Sequence, residues 1–229
     1  MKYLIVNGDD FGGSPGINRG MIEAHRWGIL TSASLLVNTP WSEEAAKLGA
    51  DMPWLSIGLH VDLQRELNGT SPDGPALLRD ALRSQLARFV DLVDRLPTHI
   101  DSHHNVHRDP RALPYFLELA AEHKLPLRGH SPVRYFASFY GQWNGDSHPE
   151  QIGAESLMRM FETEIGGGVT ELSCHPGFVG AELTSGYAAE REIELHTLCE
   201  LEVRRALVGC SIQLVSYHDL GQLAATDAA

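Results

Sequence analysis

The 229-residue sequence predicts an α/β fold: a (β/α) barrel, TIM-like with room for distortion, with about seven parallel strands and its active face at the C-terminal strand ends. Three observations predict it. Short apolar runs alternate with helix-period segments along the whole chain. Nearly every run ends in a polar side chain capable of chemistry, as strands of a barrel do at their common mouth. The length suits one barrel, and no composition shift marks a second domain, so residues 1–229 are read as a single domain.

Taken in order, Tyr3 to Val6 is a buried first strand that ends at Asp9-Asp10. Ser14 offers an N-cap, Pro15 a first helical position and Gly28 a stop for a helix from about Ile17 to Trp27. Ser32 to Val37 is the second strand, ending at Asn38, with a helix from about Ser42 to Leu48 after it. Trp54 to Leu59 is the third, ending at His60. A polar stretch from Gln64 to Pro75 precedes an amphipathic helix marked by Leu78, Leu82, Leu86, Phe89, Val93 and Leu96. Thr98 to Ser102 is the fourth strand, Ala112 to His123 a helix, Leu125 to Arg128 a short fifth strand and Ala154 to Glu164 a further helix. Val169 to Ser173 is the sixth strand, Ala188 to Ala206 one long helix and Ser211 to Val215 the seventh strand. Alternating strands and helices imply parallel pairing, because right-handed crossovers put each helix outside the sheet.

Composition narrows the partners. With 18 basic and 30 acidic residues the net charge is −12, which repels nucleic-acid phosphates and anionic membrane surfaces. Cys174, Cys199 and Cys210 show no CxxC spacing, so neither a disulfide framework nor a cysteine zinc site is indicated, and a reducing compartment fits. The apolar run after Met1 is too short for a signal peptide or a membrane helix, and a cytoplasmic location is expected.

The densest chemistry lies at His99-Ile100-Asp101-Ser102-His103-His104-Asn105-Val106-His107, where four histidines fall within nine residues. A strand end followed by a loop can aim several imidazoles at one point, so this stretch is read as half of a divalent-metal site. Asp10 and His60 supply the other half: with His103 they make a two-histidine, one-carboxylate set that leaves positions open for water and substrate. Asp9, its carboxylate diverging from that of Asp10, is either a free base or a turn cap. His175, fixed by Pro176-Gly177, is either a general acid, another ligand or a residue supporting the ligands. Arg128 and Arg191 are candidates for orienting Asp9 or binding substrate hydroxyls, and Asn38 stands at another strand end. The aromatic stretch from Tyr135 to Trp143, with Tyr140 and Trp143, is read as a substrate contact or as an interface in a homo-oligomer.

Asn7-Gly8-Asp9-Asp10-Phe11-Gly12, Gly28 to Asn38, Gly58-Leu59-His60, Pro97 to His107 and Cys174-His175-Pro176-Gly177 together resemble the ordered motifs of the YdjC-like carbohydrate deacetylase family, from residue 3 to about residue 220. The resemblance implies a barrel related to polysaccharide deacetylases, one divalent metal (Mg2+ by resemblance, with Zn2+ as the other option) and hydrolysis of an N-acetylated sugar substrate to acetate. Carried over by position, Asp10, His60 and His103 resemble the metal ligands, Asp9 the base and His175 the acid. Where many relatives read three consecutive histidines, this chain has His103-His104-Asn105, and the loop from Gln64 to Pro75 is shorter than in chitooligosaccharide-acting members. Rival expectations are a hydrolase of another small amide or ester and a sugar-binding relative without turnover; retention of both Asp9 and His175 argues against the latter.

Overall fold

The protein is described by a computed structural model over residues 1–68, 74–180 and 186–227. Its sheet strands are β1 (Lys2–Phe11), β2 (Ser32–Leu35), β3 (Ser56–Val61), β4 (Ile100–Ser102), β5 (Arg134–Phe136), β8 (Gly168–Cys174) and β9 (Ile212–Leu214). The helices between them are α1 (Pro15–Trp27), α2 (Ser42–Ala50), α3 (Gln64–Asn68), α4 (Gly74–Val93), α5 (Leu113–His123), α6 (Ala154–Thr163), α7 (Ala189–Cys199), α8 (Leu201–Gly209) and α9 (Leu220–Asp227). A small antiparallel hairpin, β6 (Gln142–Trp143) and β7 (Asp146–Ser147), stands apart from the sheet.

All seven sheet strands run parallel in the order β4-β3-β2-β1-β8-β5, with β9 pairing the first residues of β1. β1 alternates between two environments. Leu4 and Val6 join the main core between sheet and helices, whereas Ile5 packs with Val133, Val215 and Tyr217 in a smaller apolar plug inside the curl. By the two-residue period of a strand, Asn7 and Asp9 follow Ile5 on that inner face. The interior is therefore apolar at the N-terminal strand ends and polar toward the C-terminal ends. Gly58 shows how tightly it is filled: a Cβ there would stand 2.3 Å from the buried His99 ring.

The strand count matches the sequence reading, but the closed barrel does not form. The sheet is curled and open, and among the described residues no ladder joins β5 to β4. The expected fifth strand at 125–128 is reduced to a single parallel bridge between Leu127 and Ile100. Pro126 lacks an N–H donor and Gly129 sits at φ 72°, so this segment cannot extend into a ladder. Arg134–Phe136 takes the strand position instead, on the far side of β8. The expected long helix from Ala188 is two helices, with Glu200 between them in extended conformation (ψ 133°). The third strand begins at Ser56, two residues later than expected, with Trp54 82% exposed, and His60 lies within that strand. Part of the Gln64–Pro75 stretch forms α3, and 69–73 lies outside the described residues. α1 follows its sequence signals: Ser14 Oγ accepts from the Ile17 amide at 3.1 Å and Pro15 opens the helix. Among the described residues no helix is long and apolar enough to cross a membrane.

Candidate active site

At the C-terminal strand ends a cleft of about 260 Å³ is lined by Asp9, Asp10, His60, His103, Tyr140 and His175, among others. Its two acids come from an irregularity in β1. The pairing of β1 with β2 runs Gly8 to Ala33 and then Phe11 to Leu35, three steps against two, so one extra residue bulges out. Asp10 takes the left-handed conformation there, at φ 71°. A regular strand would send adjacent side chains to opposite faces; the bulge turns both carboxylates into the cleft.

Asp10 Oδ1 lies 3.3 Å from His60 Nε2 and 3.0 Å from His103 Nδ1. One ligand atom from each of the three falls within 4.8 Å of the others, a span that a single cation can fill. His60 Nδ1 is held 2.7 Å from Asp101 Oδ1, which fixes the ring so that Nε2 faces Asp10. Burial would lower the His60 pKa, but the carboxylates of Asp101 and Asp10 prevail and raise it to about 10. Burial would likewise raise Asp10; hydrogen bonds from His103 and His60, with the charge of Arg191, hold it well below the usual carboxylate range. This crowding of donors around one carboxylate marks the place that a bound cation would take. Asp9, His60 and Asp101 also cluster, but the Arg128 guanidinium already occupies both acids, so that trio is an ion-pair network and not a metal site.

Arg128 is 1% exposed and holds Asp9 through two 2.7 Å bonds from Nη1 and Nη2. The same guanidinium reaches Asp101 at 2.7 Å and Glu171 at 2.6 Å. Its side chain thus spans the interior, tying β1, β4 and β8 together where the ladder is missing. The expected role in binding sugar hydroxyls does not fit this position; orienting Asp9 does. Asn7 Nδ2 adds a 2.8 Å bond to Asp9 and another to Ser34 Oγ.

His175 follows β8 on a loop pressed against α1: a Cβ on Gly20 would lie 2.5 Å from Gly177, and Phe178 N donates to Gly16 O at 3.1 Å. The His175 amide donates to Glu194 Oε2, and Tyr187 Oη donates to Glu194 Oε1. His175 Nδ1 is buried 3.9 Å from Glu194 Oε1, while the ring keeps 21% exposure, so its open edge faces the cleft. Burial pushes His175 down to about 4 and Glu194 up to about 8. Arg191 pairs with Asp10 Oδ2 rather than with Asp9 and donates to His175 O at 3.3 Å.

The structure thus gathers Asp9, Asp10, His60, His103, Tyr140, His175 and Arg191 around one space. It leaves Asn38 exposed and outside the cleft lining. Trp143 is also outside, 43% exposed and stacked on His148 at 3.5 Å. Sequence reasoning missed Asn7, Ser34, Asp101, Glu171, Tyr187 and Glu194 as supports. A signal existed for four of them: Asn7/Asp9, Ser32/Ser34, His99/Asp101 and Glu171/Ser173 place polar residues two apart in or beside buried strands.

Comparison with known proteins identifies the family and the fold. The family model described as YdjC-like protein matches residues 3–208. A carbohydrate deacetylase of Brevibacillus brevis is 35% identical, covering 95% of this chain and 99% of its own length. A crystal structure of an Enterococcus faecalis V583 protein, proposed there to cleave cellobiose-phosphate, superposes with a TM-score of 0.81 at 29% identity, covering 96% of this chain and 98% of that one. A family 4 carbohydrate esterase of Streptomyces lividans, solved with acetate, shares the fold with a TM-score of 0.60 at 11% identity, covering 93% and 91%. With its motifs, curled sheet and whole-length relatives in accord, the chain belongs to the YdjC-like protein family.

Proposed function

We propose that this protein is a metal-dependent carbohydrate deacetylase that removes an N-acetyl group from an amino sugar or short oligosaccharide and releases acetate. The observation that carries the reading is the convergence of Asp10, His60 and His103 on one point of a cleft that also holds Asp9 and His175. The relatives named carbohydrate deacetylase, similar over nearly their whole length, support it.

Asp10, His60 and His103 would hold one divalent cation, and the fit rests on their own chemistry: two imidazoles and a carboxylate within a common reach, with His60 oriented by Asp101. When bound, such a cation polarises the acetyl carbonyl and lowers the pKa of nearby water. Asp9 takes the proton from the attacking water at a carboxylate oxygen, and Arg128 fixes the direction of that carboxylate. His175, neutral near pH 7 because burial pushes it down to about 4, would first take up a proton and then pass it to the departing amine from its open edge, with Glu194 behind Nδ1. Tyr140, beside His175 at 5.6 Å between ring centroids, offers an apolar face to the sugar. By donor preference two imidazoles favour zinc-like ions, whereas the family resemblance points to magnesium.

The test is acetate release from N,N′-diacetylchitobiose and a panel of N-acetyl sugars, before and after EDTA, with Mg2+ and Zn2+ added back. Release abolished by EDTA and restored by one ion is the expected result. Release unaffected by complete metal removal would end the metal reading, and release from small esters or other amides alone would end the sugar reading.

A further inference from the structure

The hairpin β6–β7 has two residues per strand, and its six residues 142–147 are largely exposed. A ribbon this short is not stable by itself. Its turn residues suit it, Asn144 and Gly145 both at positive φ (55° and 87°), but a turn alone fixes no position on the body of the protein. The anchor is a buried acid. Glu190, 2% exposed in the first turn of α7, accepts from Gln142 Nε2 at 3.0 Å and from Ser147 Oγ at 2.5 Å, one bond from each strand. Two further bonds run alongside: Gly141 N donates to Tyr187 Oη at 2.8 Å, and Gln142 Nε2 to Gly186 O at 2.9 Å. The hydrogen bonds hold the Glu190 carboxylate, against its burial, below its usual pKa, so it is charged at neutral pH.

A buried charge serving a polar surface hairpin needs a reason, and the neighbouring residues give one. Tyr140 stands two residues before the hairpin partner Gln142, and its ring stacks on Tyr187 at 4.7 Å and meets His175 edge-on. On the same two turns of α7, Arg191 bonds Asp10 and Glu194 bonds the His175 amide. One stretch of helix therefore refers the aromatic wall of the cleft and the reacting groups to a single frame.

We propose that Glu190 is a positioning residue: by clamping both strands of the hairpin to α7 it holds Tyr140 at its place in the cleft wall and so sets how tightly the sugar is bound. This rests on the deacetylase reading for its kinetic consequence, but the clamp itself does not. In the metal-loaded protein, Glu190→Ala raises KM about tenfold while kcat stays within about threefold, the mark of lost binding energy common to ground and transition states. Glu190→Gln keeps an acceptor oxygen for both donors and restores KM. The pair Gln142→Ala with Ser147→Ala leaves α7 untouched and reproduces the rise, which keeps the test decisive if the Glu190→Ala variant folds poorly.

Hydrogen exchange supplies a readout free of turnover. The amides of Gly141 and His148, bonded to Tyr187 and to Gly141 O, exchange faster in the Glu190→Ala variant while those in the middle of α7 do not. An unchanged KM in the variant, or a fall in kcat without change in KM, overturns the positioning role. Should the wild-type protein release acetate from no sugar, the deacetylase reading fails, and exchange at Gly141 and His148 still judges the clamp, with unaltered rates overturning it.

Discussion

Replacing Arg128 by methionine removes one guanidinium and leaves three acids, Asp9, Asp101 and Glu171, all at 5% exposure or less, without their shared cation. The bonds broken by the change are short: Nη1 and Nη2 to Asp9, Nη2 to Asp101, and Nε and Nη2 to Glu171, all between 2.6 and 2.8 Å. Breaking a buried pair by deleting one partner costs about 3–5 kcal/mol, since the remaining charge keeps its desolvation penalty. Here one deletion takes the shared partner from three carboxylates, while Asp101 keeps His60 and Glu171 keeps Tyr217, so a loss within that range is expected in the metal-free protein at pH 7.5. The deficit shrinks as the pH falls. Burial works to raise Asp101, but Arg128 and His60 hold it depressed in the folded protein, so its contribution is present above the ordinary carboxylate pKa and lost on acidification. Without Arg128 the acids relieve themselves by taking up protons at higher pH, and variant and wild type converge toward pH 4. Urea denaturation of both proteins with EDTA at pH 7.5, 6 and 5 measures this. A loss below about 1 kcal/mol at pH 7.5, or one that grows on acidification, would refute the network as drawn.

Two further outcomes follow from the same geometry. Asp9→Asn keeps the Arg128 bonds partly satisfied and lies outside the ligand trio, so it should bind metal by calorimetry as wild type does while kcat drops about 10²–10⁴-fold; full turnover would remove Asp9 from the proposed role. Acid stability should carry the signature of three neutral histidines, His99, His107 and His175, each pushed down to about 4 chiefly by burial. Depressed bases stabilise fully above their unfolded value near 6.5 and lose that contribution as the pH falls toward 4, by up to about 1.4 kcal/mol per pH unit each. In EDTA, His107→Gln should flatten the decline of unfolding free energy between pH 6.5 and 4.5 by about one proton's worth, and equal slopes for both proteins would contradict this.

Much of the architecture could be read from residue order because β1 and β3 carry apolar runs, and β8 an apolar–polar alternation, bounded by clear turn signals. The segment at 125–128 misled because Leu125 and Leu127 flank a proline that cannot join a ladder, while the true edge strand has three residues beginning with an exposed arginine. The break at Glu200 carries no glycine or proline, so nothing local announces it. In the site, Asp10, His60 and His103 were legible because each lies within one residue of the C-terminal end of a strand. The buried supports were not: alternation of polar and apolar residues ordinarily means one wet face, and here that face lines the inside of a curled sheet. Trp143 and Asn38 show the converse error, since proximity in sequence to a strand end or to other aromatics does not bring a side chain into the cleft.

The bulge in β1 has a mechanical consequence. The cation ligand and the proton acceptor of the proposed reaction are consecutive residues, so their Cα atoms stay about 3.8 Å apart by covalent geometry, whatever the sheet around them does. Breathing of the open curl can alter the reach from Asp10 to His60 or His103, which depends on packing across strands. It cannot stretch the link between Asp10 and Asp9. The backbone spacing of the two acids is thereby set by a peptide bond, and their reach to the two imidazoles by the fold.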